Sequence, residues 1–538
     1  MQELPRLHIE GLILLLCAVL VLLCAIAFPM WKGSDSISAD KAFTGIVGLY
    51  AEESFYYLAL GPAEMSDEQR VFGEDKFLRA DKAMFINPIG NGIALLSDIT
   101  KWSDTTSFFL YRMLAAILLA VSFFKLSGLF LAGLPFRILA LCLFLFGAGW
   151  DGCVNILESC SWTLWAPEMN PFISCVGEYY IPTATALLLF YMERVIRVAS
   201  TATPQRKDLL TLGVLLFLLG IVYIYSMLIA ICITASILIL KWLTDRVTTS
   251  AVIGTVVWAG LFSLPVIVYY TWMYTNLNSA AQDDGWVMGP TLIETLLTNF
   301  WVAVPAMIVV GINLVSNRRK YDWATLAVWV FTVLLITRIP PPYLPFQVQA
   351  HVGLSAPLAI ITAIGTQQLF GQSGTNRSIK ILALSISGLL LFFAVQPNLK
   401  FYSQMLNRIE QMEYPEFAHK DELKALEWIR ENLPQSATFA VVEEKARMLA
   451  GLTGCRVYYK NTRFDEYSET KRVLEAWSST MGKGTTDCPG VLVKEKVSFV
   501  FVDPMFRSKY LEPAGILDIP CSKRIYSSGE VSVWQLNE

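Results

Sequence analysis

Charged residues are scarce in this chain and unevenly placed. Only 16% of the residues are Asp, Glu, Lys or Arg, against 54% hydrophobic residues and a mean hydropathy of +0.49. That balance lies well above the one typical of soluble domains. The charges are concentrated in residues 31–105, in a few short loops and after about residue 400. The composition therefore indicates a protein whose main solvent is the lipid bilayer, and the formal net charge of −3 gives no basis for nucleic acid as a partner.

Metal-binding patterns are lacking as well. The ten cysteines form no CxxC pattern and no Cys/His spacing typical of a metal site. The loops assigned below to the outer side contain no HxH or DxD cluster. The sequence therefore predicts no cofactor with certainty, and a divalent metal held by scattered carboxylates stays an open alternative.

Long apolar runs make up much of the chain. About 20 apolar helical residues cross the hydrocarbon layer of roughly 30 Å, and eleven runs approach that length. They lie at residues 11–30, 106–124, 136–150, 179–193, 208–224, 226–240, 251–271, 299–316, 322–337, 352–369 and 381–396. The first run ends with a small-x-small pattern at residues 25–27 that resembles a signal-peptide cleavage site, but its length and the bulky Phe28 favour an uncleaved anchor.

The basic residues of the loops indicate which side each loop occupies, because Lys and Arg are retained on the cytoplasmic side. The outer loops 151–178 and 272–298 contain neither residue type. The intervening short loops all contain them, at Lys125, Arg137, Arg194, Arg197, Arg206, Lys207, Lys241, Arg246, Arg318, Arg319, Lys320, Arg377 and Lys380. We therefore predict a multi-pass protein of the plasma (inner) membrane with a cytoplasmic N-terminus and an extracytoplasmic C-terminal region.

The predicted fold is an α-helical polytopic membrane protein of about eleven transmembrane helices with a small extracytoplasmic α/β domain. Residues 1–399 form the membrane module, in which 31–105 is a first outer loop with amphipathic helices, and residues 400–538 form the soluble domain. In that domain the sequence predicts an amphipathic helix, two strands and a hairpin. They lie at Asp421–Asn432, Thr438–Val442, Val497–Val502 and Arg524–Leu536.

The first outer loop carries the most informative acidic residues. Glu52 and Glu53 precede an aromatic pair in the stretch Gly48–Ala59 (GLYAEESFYYLA). On a helix they would point about 100° apart, so that one could face a cavity while the other meets solvent. A carboxylate in a partly desolvated pocket has a raised pKa, which suits a general base. The simpler interpretation is two solvated glutamates.

Several segments together resemble the C-type (GT-C) glycosyltransferase superfamily, whose polytopic members take sugars from polyprenyl-phosphate carriers. An acidic residue followed by Tyr-Tyr-Leu-Ala about 20 residues after the first span is similar to the acidic motif of that superfamily. The other similar segments are Asn87–Gly92, Phe109–Ala116, Tyr343–Gln347, Gly353–Leu358, Ala425–Pro434 and Phe499–Pro504. The likeness covers most of the chain, although each motif is short.

The resemblance implies an inverting sugar transfer at the outer membrane face. Glu53 or Glu52 would accept the proton of an acceptor hydroxyl, and polyprenyl phosphate would leave. Arg338 and His351 would bind the donor phosphate. The alternatives are that Arg338 reaches ordinary lipid phosphates and that His351 is a buried, hydrogen-bonded histidine.

The partners implied are a lipid-linked sugar donor, a glycan, lipid or protein acceptor, and membrane lipids. A second acidic or acceptor site is predicted in and beside the second outer loop, at Glu158, Glu168, Glu178 and Tyr180.

Some positions depart from the superfamily pattern. The acid is Glu rather than the more frequent Asp, and Val348 and Gln349 stand where basic residues follow in similar members. Tyr180 and the segment 223–226 (YIYS) stand where those members tend to have His and His-Pro-Tyr-Asp. These departures leave room for a specialised or inactive member.

Three other classes compete with a transferase. A transporter or flippase of lipid-linked saccharides is disfavoured by the odd number of spans and by the lack of an internal repeat. A polysaccharide polymerase or ligase would have its large polar loop late in the chain, whereas here it comes early. A non-catalytic scaffold that uses the C-terminal region for contacts stays an open alternative because of the departures just described.

Overall fold

The structure is a computed structural model, and it describes most of the chain in segments. The described residues are 9–36, 38–47, 72–73, 85–86, 88–149, 170–177, 180–201, 204–244, 249–276, 291–315, 322–339, 347–372, 377–458, 497–510 and 522–536. They divide into two compact units. The first, called the helical unit here, comprises Met1–Phe28, Leu110–Thr271 and Trp286–Leu406. The second, called the mixed unit, comprises Pro29–Phe109, Trp272–Gly285 and Asn407–Glu538.

Apolar helices make up almost all of the described residues before residue 411. They are α1 (Ile9–Asp35), α2 (Pro88–Thr100), α3 (Asp104–Ser127), α4 (Leu134–Phe146), α5 (Pro171–Gly177), α6 (Tyr180–Val198), α7 (Arg206–Val222), α8 (Ile224–Leu243), α9 (Thr249–Asn276), α10 (Leu292–Thr298), α11 (Phe300–Val315), α12 (Asp322–Ile336), α13 (Ser355–Gln372) and α14 (Arg377–Glu410). Each of the eleven predicted apolar runs overlaps one of these helices. The local hydropathy therefore located the helices.

Fewer helices meet the length and polarity that a crossing requires. Among the described residues six helices are long and apolar enough to cross a membrane, and a seventh span results if the bent pair α10–α11 counts as one. The helix α4 has 13 residues, about 20 Å, which is short of a layer of roughly 30 Å. The helix α6 carries three charges near its end, at Glu193, Arg194 and Arg197. A multi-pass protein is confirmed, and eleven crossings stay a prediction.

The helix α13 lies at the centre of the helical unit. Most residues of the segment Gln349–Gly371, which includes most of α13, are buried, and α13 packs against α4, α11 and α12. A short 3₁₀ helix, Gln347–His351, leads into it and contacts α8 and α12. Between the two, Gly353 has φ +79°, and a Cβ there would lie 2.6 Å from Cδ2 of Leu188. Only glycine fits that turn without strain, so it fixes where the 3₁₀ helix meets the core.

A five-stranded sheet forms the centre of the mixed unit. Its strands are β5 (Thr438–Ala440), β6 (Arg456–Val457), β7 (Phe499–Val502), β8 (Ser522–Ser528) and β9 (Val531–Leu536), in the order β6-β5-β7-β9-β8. The pairs β5–β6 and β5–β7 are parallel, and β7–β9 and β8–β9 are antiparallel. The accompanying helices are α15 (Lys420–Asn432), α16 (Glu443–Thr453) and α17 (Pro504–Tyr510).

The elements predicted for the C-terminal region are confirmed within one to three residues. The amphipathic α15 buries Ala425, Leu426 and Ile429, and it contacts β8 and β9. The expected hairpin forms β8 and β9 around a turn at Gly529, whose φ is +54°. This agreement reflects strong local patterns, since one apolar helical face and alternating strands can be read within a short window.

The mixed unit also contains part of the first predicted outer loop. Strand β1 (Lys41–Phe43) pairs antiparallel with β4 (Phe417–His419), and Ile46 belongs to the apolar core of the sheet domain. The Thr44 hydroxyl donates to the carbonyl of Glu416 at 3.0 Å. Two further short strands, β2 (Phe72–Gly73) and β3 (Phe85–Ile86), pair with each other. A segment that follows the first helix is thus built into the same unit as the C-terminal sheet.

Candidate active site

Three of the predicted site residues belong to the described part of the chain. These are Arg338, His351 and Tyr180. The predicted bases Glu52 and Glu53 lie outside the described residues, and so do Glu158, Glu168 and Glu178. The candidate site is therefore built upward from Arg338 and His351 and from the elements that hold them.

A capping box starts helix α10, whose residue Thr295 contacts both Arg338 and His351. The backbone N–H of Glu294 donates to Oγ1 of Thr291 at 3.2 Å, and the N–H of Thr291 donates to Oε2 of Glu294 at 2.6 Å. This reciprocal pair satisfies two N–H groups that the start of a helix leaves without intrahelical partners. The helix α10 starts there, and α11 follows at an angle of 105°. The next residue after the box, Thr295, is thereby held in a fixed position.

Thr295 is the centre of the site. Its side chain is 1% exposed, and its hydroxyl donates to the carbonyl of Thr291 at 2.9 Å. The same oxygen lies 3.3 Å from Nε2 of His351 and 3.5 Å from Nη2 of Arg338. A hydroxyl has one hydrogen and two lone pairs. Thr295 therefore accepts from Arg338, and the direction of its contact with Nε2 of His351 is set by the histidine tautomer.

Arg338 lies in the turn that follows α12 and is exposed. Its Nη2 donates to Oγ1 of Thr337 at 3.3 Å as well as to Thr295. The carboxylate of Glu294 acts electrostatically on the same guanidinium. Two threonine hydroxyls and one nearby acid thus act on this exposed cation.

His351 closes the 3₁₀ helix and is fully buried. It is hydrogen bonded, as the simpler of its two sequence interpretations expects. The contact through Thr295 nevertheless links it to Arg338, the other residue that the sequence assigned to the phosphate. Two neighbouring polar atoms, Oε1 of Gln349 and Oγ of Ser355, are buried without a hydrogen-bond partner among the described residues. Buried polar atoms usually find a partner in the protein, in water or in a ligand.

Tyr180 lies in an aromatic cluster at the start of α6. Its ring centroid is 5.2 Å from that of Tyr223, which in turn is 5.5 Å from that of Tyr225. Two segments that depart from the superfamily pattern, Tyr180 and the segment 223–226, are therefore in contact with each other. Contacts between tyrosine rings therefore occupy the two positions at which similar members tend to have His and His-Pro-Tyr-Asp.

The sequence reasoning missed Thr295 as the residue between Arg338 and His351. The pattern Thr-Leu-Ile-Glu at residues 291–294 is a readable capping-box signal, and it would have located the start of α10. No local pattern indicates which distant residues its first turn contacts. Among the described residues, no group of three His, Cys, Asp or Glu side chains is arranged to hold a metal ion.

Comparisons of the whole chain give a consistent result by structure and none by sequence. No family model matches the sequence, and no curated protein matches it either. Solved structures do match over nearly the whole chain, at identities of 10–13% for the three described next.

The first is the archaeal oligosaccharyltransferase AglB from Archaeoglobus fulgidus, in complex with an inhibitory peptide and a dolichol-phosphate. The match has a TM-score of 0.52 and 10% identity, and it covers 92% of this chain and 69% of AglB. The second is ArnT from Cupriavidus metallidurans bound to undecaprenyl phosphate, with a TM-score of 0.53 and 11% identity over 97% of each chain.

The third is the arabinofuranosyltransferase AftD from Mycobacteria, with a TM-score of 0.55 and 13% identity, covering 97% of this chain and 40% of AftD. The three matches cover 92–97% of the present chain and therefore extend over both of its units. The chain has the fold of the C-type glycosyltransferases.

Proposed function

We propose that this chain is a membrane glycosyltransferase that takes a sugar from a polyprenyl-phosphate donor on the extracytoplasmic face. The observation that carries the proposal is the hydrogen-bonded group of Arg338, Thr295 and His351 in a chain with the C-type fold. Two solved structures with that fold, AglB and ArnT, hold dolichol-phosphate and undecaprenyl phosphate. A lipid phosphate is bound best by cationic N–H donors, above all by the planar fork of arginine.

Arg338 is the phosphate-binding residue in this proposal. Its contacts to the hydroxyls of Thr295 and Thr337 are long, at 3.5 and 3.3 Å. A phosphate oxygen offers shorter, charge-assisted hydrogen bonds, so the guanidinium can exchange these contacts for a ligand with little reorganisation. Because Arg338 is exposed, a headgroup can reach it.

His351 is a positioning residue rather than a contact residue in the same proposal, because its side chain is fully buried. Its Nε2 contacts the hydroxyl of Thr295, whose oxygen also accepts from Arg338. Loss of either residue would leave the guanidinium less fixed. A donor held at a slightly wrong place lowers the rate strongly, since transfer depends on the alignment of the reacting atoms.

The reaction is a direct displacement with inversion at the anomeric carbon. Glu53 or Glu52 accepts the proton of the acceptor hydroxyl as the acceptor oxygen attacks that carbon. The bond from the anomeric carbon to the phosphate oxygen breaks, and polyprenyl phosphate leaves with the bonding electrons. Arg338 stabilises the negative charge that develops on this phosphate.

The acceptor is a glycan, lipid or protein hydroxyl, and Glu158, Glu168, Glu178 and Tyr180 stay predictions for its binding. The proposed setting is the plasma (inner) membrane with a cytoplasmic N-terminus. The mixed unit, with its C-terminal sheet and the segment after α1, is then extracytoplasmic and available to bind the acceptor.

The test follows lipid-linked and surface glycans in cells that depend on this protein for them. Arg338→Gln is expected to lower glycan formation on the order of 10²-fold, the effect of removing one donor to a developing anion. Arg338→Lys keeps the charge but loses the planar fork, so an intermediate level is expected. Glu53→Gln or Glu52→Gln, whichever residue is the base, abolishes formation.

Arg206→Gln is the matched control, because it removes the same charge at an exposed position at the start of α7. It should keep the wild-type glycan level at equal protein amounts. Wild-type glycans in Arg338→Gln, Glu52→Gln and Glu53→Gln alike would remove the transferase mechanism and favour a scaffold.

A further inference from the structure

A second polar cavity lies in the helical unit, away from the group around Arg338. Its volume is about 460 Å³, and it is lined by the end of α6, the start of α7, the end of α8, the start of α12 and the loop between α3 and α4. All these segments come from or adjoin loops that the Lys/Arg distribution places on the cytoplasmic side. These loops therefore meet at one end of the helical unit.

Basic side chains dominate the cavity. Arg194, Arg197 and Lys241 line it, together with a single acid, Asp208. Glu193 lies next to the cavity without lining it. Its carboxylate is paired with basic residues, and its side chain is only 1% exposed. With Lys125, which also pairs with Glu193, four cations face two carboxylates among these residues. The group has an excess of two positive charges.

The buried Glu193 holds the arginines in place. Nε of Arg197 donates to its Oε1, and Nε of Arg194 lies 3.6 Å from its Oε2. Arg197 is half-exposed, at 48%, and its terminal NH2 groups have no partner among the described residues. Because its Nε is fixed on a rigid helix, those groups form a pre-oriented fork at the cavity.

The third cation is also held by the protein. Nζ of Lys241 donates to Oγ of Ser200 at 2.9 Å, and that hydroxyl donates in turn to the carbonyl of Ile196 at 2.7 Å. A lysine on a flexible stem is thereby fixed across the cavity from two arginines. Three basic side chains from two helices thus line one cavity, and an anion bound there would be attracted by all three.

We propose that this cavity is a binding site for a phosphate monoester. Such a group carries close to two negative charges at neutral pH, which complements a cavity lined by three basic side chains and one acid. Arginine forks fit its oxygen atoms bidentately, whereas the ammonium of Lys241 supplies a point charge. The site is separate from the proposed donor site and does not depend on it.

The surface next to the cavity indicates which kinds of molecule can carry the phosphate monoester. Trp242, directly after Lys241, is 51% exposed, and Ile239 and Leu243 are 57% and 68% exposed. A tryptophan beside a lysine at the end of an apolar helix is typical of the membrane–water interface. Basic pockets at this level between membrane helices bind lipid headgroups. The phosphate monoester can therefore belong to a lipid or to a soluble molecule that reaches the same opening.

The experiment measures ligand-dependent thermal unfolding of the full chain in detergent, because a ligand that binds the native state raises the unfolding temperature. The probes are dioctanoyl phosphatidic acid, glycerol 3-phosphate and dioctanoyl phosphatidylcholine, the last without a phosphate monoester. Saturable stabilisation by phosphatidic acid and none by phosphatidylcholine is the expected result. Competition by glycerol 3-phosphate assigns the site to soluble phosphates, and no competition assigns it to lipid.

Lys241→Gln and Arg197→Gln are the test variants, and each is expected to weaken the affinity at least about tenfold. Lys241→Gln leaves the pairs of Glu193 intact, so it remains informative if Arg197→Gln folds poorly. Arg206→Gln removes the same charge from an exposed residue that does not line the cavity, and it should stay within about twofold. Equal stabilisation by phosphatidylcholine, or equal weakening by Arg206→Gln and Lys241→Gln, overturns the proposal.

Discussion

Two buried carboxylates, one in each unit of the chain, have different surroundings. In the helical unit, Glu193 is 1% exposed, but the three cations around it have side chains that are 36–48% exposed. In the mixed unit, Glu422 and Lys445 are 2% and 6% exposed and form one ion pair at 2.9 Å. The first arrangement is open and has more cations than anions, whereas the second is closed and balanced. The closed pair of Glu422 and Lys445 stabilises the core of the mixed unit. The open group around Glu193 keeps its cations accessible to a ligand.

Other residues complete the closed arrangement. Nζ of Lys445 lies 4.2 Å from the ring centroid of Tyr414, and Asp503 is fully buried at the end of β7. Oδ1 of Asp503 accepts the N–H of Phe506 at 2.7 Å, which caps α17. Burial, together with the nearby charge of Glu422, raises the pKa of Asp503 to about 6. Protonation of Asp503 therefore neutralises a second negative charge that is buried near Glu422.

The largest effect is expected when the closed pair is broken. Lys445→Met leaves Glu422 buried without its partner, which should destabilise the mixed unit by about 3–5 kcal/mol. Cys455 is buried in this unit, so its labelling by a thiol reagent in the full chain, read by peptide mass spectrometry, reports opening. The double variant Glu422→Met/Lys445→Met, which removes both charges, should label almost as slowly as the wild type. Fast labelling of the double variant would mean that the pair itself is required.

A smaller effect is expected from pH. The folded pKa of Asp503, about 6, lies above the unfolded value of about 3.9. The folded state therefore binds more protons between these values, and stability falls as pH rises from about 4 to 6. Asp503→Asn removes this decline and can still cap α17. It should match the wild type at pH 4 and exceed it by about 2 kcal/mol at pH 7.

The same labelling of Cys455, compared at each pH between Asp503→Asn and the wild type, measures that difference. A difference that does not change with pH, or that is largest at pH 4, contradicts the buried carboxylate as its source.

The smallest effect is expected for the open group. Glu193→Gln removes the carboxylate, but its former partners are partly exposed and solvent can screen their charges. The loss of stability of the helical unit should therefore stay below about 1 kcal/mol, measured as the unfolding midpoint of the full chain in detergent. A loss as large as that of Lys445→Met would show that Glu193 is as essential to the core as Glu422, and the contrast between the units would disappear.

Much of the fold could be read from the sequence because its signals are local. The apolar runs located the helices, and the pattern of residues 421–432 predicted α15 with its buried face. The hairpin of β8 and β9 followed from alternating residues around a polar turn. The shortness of α4 and the bend of 105° between α10 and α11 were not predicted, since hydropathy averaged over a window is insensitive to where helix geometry breaks.

The sequence predicted two of the three residues of the candidate site but not the third. Arg338 and His351 stood out as rare polar residues beside apolar runs, but Thr295, which joins them, is 43 and 56 residues away along the chain. The pairing of β1 with β4 joins residues still further apart, at a separation of more than 370. Such contacts have no periodic signature, since they depend on how complete helices pack.

The sequence by itself determined that this chain is a multi-pass membrane protein and where its helices lie, and it predicts which loops share one side. Hydropathy and loop charge act on each segment separately, so they need no knowledge of the rest of the chain. Only the tertiary structure decided that Thr295 joins Arg338 to His351, and that four loops enclose one basic cavity over a buried carboxylate. Those arrangements arise from packing between distant segments, where the burial of a charge and the choice of its partner are settled together.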